Sequence, residues 1–171
     1  ASSDGTGKVS HCSNYGNVSN STAEPQYRGV GGIVGGTMSG VDYGGTVEYC
    51  YNGGTISASG TAYVGGILGS NVSGSSEFTI NHCGSTGSLS GTAAVGAIAA
   101  SGAKVVDNCY WFGSGITGAT IAFATGVTAT NSYYGSSDDS VTLTDNRGAT
   151  LLTAKDFASG AAAYLLDGGK N

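Results

Sequence analysis

Two His-Cys pairs, His11–Cys12 and His82–Cys83, are the residues here whose types best suit catalysis. A thiol next to an imidazole can become a nucleophile, provided the ring nitrogen reaches the sulfur. Neighbours in an extended segment point to opposite faces, so an inward Cys12 leaves His11 outside and no dyad forms. Neither histidine sits in an H-E-x-x-H helix, which would hold zinc and its general base. Asp138, Asp139, Asp145 and Asn146 offer clustered hard oxygens for calcium, but their spacing matches no established loop, and solvated turn carboxylates are the plainer reading. Glu24, Glu48 and Glu77 occupy unrelated positions, so the grouped carboxylates of a polysaccharide-cleaving enzyme are not assembled. The sequence predicts a non-enzyme with no catalytic residue, cofactor or metal.

Aromatic residues are the remaining resource. Tyr15, Tyr49, Tyr51, Tyr110, Trp111, Tyr133 and Tyr134 lie near turns, as do Tyr27, Tyr43 and Tyr63. Exposed aromatics among Asn and Ser make adaptable contacts with sugars or proteins, so the first seven are the candidate surface binding residues. The competing reading is that they stack as ladders that stiffen the fold.

Composition narrows the partners. Lys and Arg number 6 and the net charge is −5, which leaves no basic patch for nucleic acid or anionic lipid. No apolar run approaches the roughly 18 residues of a membrane span. Glycine supplies 32 of 171 residues, yet there is one proline and 39% of the chain is hydrophobic, so a solvated coil is not expected.

The elements that must position these side chains follow from a repeat. HCSNYGNVS at 11–19, YCYNGGTIS at 49–57 and HCGSTGSLS at 82–90 align on their cysteines. Val9, Val47, Ile80 and Val106 stand three residues before Cys12, Cys50, Cys83 and Cys109, and Val18, Ile56 and Leu89 six residues after the first three. A second block, VGGIVG, VGGILG and VGAIAA, adds Val30, Val64 and Val95, with Ile33, Ile67 and Ile98 three residues on. Fixed apolar columns joined by loops of varying length are the mark of a stacked fold. The spacing predicts an all-β chain, a β-helix-like β-solenoid of about three to four irregular repeats over 1–150, with Asn-x-Gly turns where glycine takes positive φ. Glycines in the VGG block should let neighbouring backbones approach closely. The four cysteines form one inward core column, read as free thiols, with a bridge between neighbouring repeats as the alternative that the strand spacing allows. Residues 151–171 break the pattern, and Thr153 with Asp156 begins a short helical cap.

At these residues the chain resembles the GLUG-motif repeats of bacterial cell-surface and secreted proteins, through GGIVG, GGILG and CYNGGTIS. The resemblance spans roughly residues 8 to 110, with weaker traces in NCYWFGSG and NSYYGSSDD, and the third repeat departs from it at VGAIAA and Gly84. It implies an extracellular, bacterial surface location and an adhesive or stalk-like role, presenting loops to host glycan or protein or spacing a neighbouring domain of a larger parent. The alternative it implies is an accessory region that positions substrate for a secreted peptidase. The first repeat starts without a VGG block of its own, so the expected context is a fragment or released domain, able to associate end to end.

Overall fold

The computed structural model describes residues 7–21, 29–36, 44–70 and 78–169. The β-branched residues before each cysteine fall in strands Gly7–Ser10, Gly45–Glu48, Phe78–Asn81 and Ala103–Asp107, which join Ala129–Thr130 in a five-stranded sheet. Pairing is parallel throughout, and the register aligns Val9, Val47, Ile80, Val106 and Ala129. A second parallel sheet follows the cysteines: Ser13–Asn14, Tyr51–Asn52, Gly84–Ser85, Tyr110–Gly113, Tyr133–Ser136 and Thr150–Leu151, in that order. The third contains Val18–Asn20, Ile56–Ala58, Leu89–Ser90 and Ile116–Thr117. In the fourth, built from the VGG blocks and Thr120–Ala124, Val30, Val64, Val95 and Ile121 share one register. The chain is thus all-β, with parallel sheets to which successive repeats each contribute strands.

Sheets of five and six strands exceed the three to four repeats expected. The additional ones carry weak signals: the segment at 131–136 has Ser132 in place of cysteine and no VGG block. Ser132 nevertheless behaves as its predecessors do. Its Oγ donates to the Thr130 carbonyl at 2.7 Å, as the Cys50, Cys83 and Cys109 thiols donate to the carbonyl two residues back at 3.2 Å.

The corners correct the expected turn chemistry. Positive φ falls on the residue before each cysteine or serine: His11 (56°), Tyr49 (52°), His82 (50°), Asn108 (49°) and Asn131 (45°). Asn tolerates this left-handed region by local hydrogen bonding, whereas His and Tyr adopt it at a cost of about 1–2 kcal/mol. The glycines of the Asn-x-Gly groups serve proximity instead. A Cβ on Gly54 would lie 2.0 Å from the Gly16 carbonyl oxygen, and one on Gly87 1.8 Å from that of Gly54. Beside them Asn14 and Asn52 link the rungs. Asn14 Nδ2 donates to Asn52 Oδ1 at 2.8 Å, and the buried Asn52 donates to the Gly54 carbonyl at 3.0 Å and the Ser85 hydroxyl at 3.3 Å. The VGG block obeys the same constraint, since a Cβ on Gly32 would meet the Gly66 carbonyl oxygen at 2.4 Å and one on Gly66 that of Ala97 at 2.2 Å.

Two helices, α1 (Ala154–Ala158) and α2 (Ala161–Leu166), follow the strands and are divided at Gly160. Thr153 and Asp156 form the anticipated capping box. Phe157 of α1 stacks on Phe112 at 4.4 Å, so α1 lies against the outward side of the second sheet. Gly135 makes room for it, because a Cβ there would meet the Phe157 ring at 3.0 Å.

Gly87→Ala should lower unfolding stability by about 3 kcal/mol, the upper range for overpacking. Gly115→Ala, whose new Cβ meets nothing within 4 Å, should change it by less than about 0.5 kcal/mol. Urea unfolding of both variants checks this, and equal effects would contradict the close-approach account.

Candidate binding surface

The sulfur column comes first, because it fixes the facing of everything beside it. Cys50, Cys83 and Cys109 are buried and free, while Cys12, which precedes the strand at the edge of its ladder, is exposed and free. Burial pushes the Cys50 thiol up and the Cys109 thiol well up. His11 and His82 are exposed at the corners, so no imidazole is directed at these sulfurs. Their outward position comes from left-handed backbone at the corner, and strand alternation is not the cause.

Alternation from the inward cysteine places the next residue outward and the one after it inward. The outward column is Ser13, Tyr51, Gly84, Tyr110, Tyr133 and Thr150; the inward one is Asn14, Asn52, Ser85, Trp111 and Tyr134, and Leu151, in register with them on the last strand, is exposed. This corrects two of the seven candidate surface aromatics. Trp111 is fully buried, its indole N–H donating to the Gly87 carbonyl at 3.3 Å, and Tyr134 is 6% exposed. Both fill the core position that Asn and Ser hold in earlier repeats.

The other five gather in two adjoining rows. Tyr15, 75% exposed, leans on Tyr51 with ring centroids 5.7 Å apart. The Tyr51 hydroxyl lies 2.6 Å from that of Thr86. Tyr110 lies over Gly84, where a Cβ would come within 2.3 Å of its ring. Burial, and after it the nearby Tyr51 phenol, push the Tyr110 hydroxyl up. Phe112 and Phe157 extend the row, and Tyr133 continues its column half-buried. The second row follows the corner: His11, Tyr49 and His82 stack at 5.1 and 4.9 Å with interplanar angles of 23° and 28°. Tyr27 and Tyr43 lie outside the described residues, as do Glu24 and Glu77; Tyr63 is half-buried in the fourth sheet.

Sequence reasoning left Asp107 unremarked. Its carboxylate accepts from Asn108 Nδ2 at 3.1 Å, Thr130 Oγ1 at 2.5 Å and Asn131 Nδ2 at 2.9 Å, continuing the corner row in polar form. The candidate calcium carboxylates are engaged by backbone N–H groups, serine hydroxyls and, at Asp145, the Arg147 guanidinium at 2.6 Å. Asp138 accepts from Ser136 and Ser140, whose hydrogen bonds lower its pKa, with Ser140 the larger influence. Asp139 accepts from the Ala154 N–H at 2.7 Å, and Asp145 from the Arg147 N–H at 3.1 Å. Asn146 accepts from the Gly148 N–H at 3.4 Å.

No protein-family model matches the chain, and no curated protein or solved structure does. No helix among the described residues is long and apolar enough to cross a membrane.

An aromatic disulfide reagent should modify Cys12 rapidly in the native protein and all four thiols only after unfolding; rapid native modification of more than one would contradict the burial of the column. The folded state also holds the Cys109 proton more tightly than the unfolded chain does. Its contribution is therefore complete below the ordinary thiol value of about 9.0 and is lost as pH rises from there through the higher folded value. Thermal midpoints should fall above pH 9, and a midpoint that rises there would contradict the assignment.

Proposed function

We propose that this chain is a non-catalytic bacterial extracellular module in which the parallel ladders wind as one β-solenoid, akin to GLUG-motif repeats, and that its aromatic rows bind host glycan or protein. The reading rests on the two outward rows, Tyr15–Tyr51–Tyr110 and His11–Tyr49–His82. Rungs about 4.8 Å apart hold planar rings at regular intervals. Such rings offer an apolar face with polar edges, suited to the mixed surface of a sugar, and rigid backbone keeps the entropy cost of ordering them low. Fixed corners and ladders also suit a stalk that spaces a neighbouring domain.

A glycan and mucin array tests the adhesive role. Wild-type protein should bind saturably, and Tyr15→Ser combined with Tyr49→Asn should weaken that binding about tenfold or more while leaving the circular dichroism spectrum unchanged. Binding unaffected by the double substitution, or glycan hydrolysis by pure protein, would overturn the reading.

A further inference from the structure

The third sheet ends early. Its four strands stop at Ile116–Thr117, whereas the first sheet has five strands and the second six. The chain passes the next position at 140–142 without pairing there. Ser136 still pairs with Gly113, and Asp145 bridges Ala122, but between them a turn at Asp139 (φ 56°) leads the backbone off the ladder. The Ser140 and Val141 N–H groups donate to Asp138 Oδ1 at 3.1 Å and Ser136 Oγ at 3.2 Å instead of to the strand below. Further on, the Thr144 hydroxyl stands in for a backbone partner, accepting from the Ile121 N–H at 3.0 Å and donating to its carbonyl at 2.7 Å.

A groove of about 340 Å³ lies between Ile116–Thr117 on one wall and Ser140, Val141 and Thr142 on the other. The Gly115 and Thr117 carbonyls accept from the Leu89 and Gly91 N–H groups at 3.0 Å, pointing down the ladder. By the alternation of a parallel pair, the N–H and C=O of Ile116 point the opposite way, into the groove. No hydrogen bond from another described residue reaches them, although Ile116 is only 8% exposed. Nearly buried backbone without a partner is uncommon, and a groove beside such groups is shaped for main chain.

We propose that this groove is a strand-addition site that takes one short extended peptide from a partner protein, parallel to Ile116–Thr117, with an aliphatic residue followed by Ser or Thr. Continuity with the existing ladder specifies that chemistry. The column it would extend reads Val18, Ile56, Leu89, Ile116 inward and Ser19, Ser57, Ser90, Thr117 beside it. Main-chain hydrogen bonds supply affinity and the alternating side chains supply selectivity. The site is separate from the aromatic rows and does not depend on their binding glycan.

Titration of the intact, isotopically labelled chain with the peptide Gly-Thr-Ile-Ser-Ala-Ser-Gly, the sequence of residues 54–60, tests it by NMR. Saturable shifts are expected at the Ile116, Thr117 and Val141 amides. N-methylation of the peptide's first serine, the amide that would donate to the Ile116 carbonyl, should weaken binding about tenfold. The proposal is overturned if those amides do not shift at millimolar peptide. It also fails if a scrambled or N-methylated peptide binds equally well, or if oligosaccharide shifts them and peptide does not.

Discussion

Parallel strands can hydrogen-bond only when their backbones lie about 4.8 Å apart, and the glycine, asparagine and cysteine columns of this protein are fitted to that distance. At several turns between ladder strands, a carbonyl of the neighbouring repeat occupies the place a side chain would take. Gly54 over Gly16, Gly87 over Gly54 and Gly32 against Gly66 are residues that answer to it. The glycine content is therefore a packing requirement, concentrated in columns. With glycine letting the backbones approach, asparagine can bridge them, and half-buried Asn14 with buried Asn52 and Ser85 forms a polar line whose hydrogen bonds run both within and between repeats. Buried polar groups are tolerable only when satisfied in this way.

The thin core follows from the same spacing. Small aliphatic side chains and thiols stack on similar neighbours, Val9, Val47, Ile80, Val106 and Ala129 in one column, and Ser132 can stand in for cysteine because its hydroxyl makes the same bond to the carbonyl two residues back. Where the repeat erodes, large groups take over: Trp111 and Tyr134 fill the position that hydrogen-bonded Asn and Ser hold earlier in the chain. On the outside, the corner residues face one another at the rung interval, which is why His11, Tyr49 and His82 stack and why Asp107 can collect three donors.

Much of this was legible in the amino-acid order. Aligning on cysteine placed Val9, Val47, Ile80 and Val106 in one register, and the Thr153–Asp156 signature marked the helix start, because both depend on local, periodic chemistry. The facing of the aromatics was legible too, had alternation been carried two residues past each cysteine: that step puts Trp111 inside and Tyr110 outside. What periodicity could not supply was the left-handed corner, since apolar spacing carries no signal for positive φ; His11, Tyr49 and His82 adopt it here and also stack on one another. The later strands were faint for a similar reason, as Ser132 and a missing VGG block removed the residues that announce a repeat. The unpaired stretch at 140–142 depends on one turn at Asp139, a matter of backbone geometry rather than composition.

The registered stacking of cysteine-bearing segments is most directly tested by locating the sulfur atoms through their anomalous scattering in crystals. The account predicts the four cysteine sulfurs in one line, successive pairs about 4.8 Å apart in the order Cys12, Cys50, Cys83, Cys109. Sulfurs dispersed without that order or interval would contradict it.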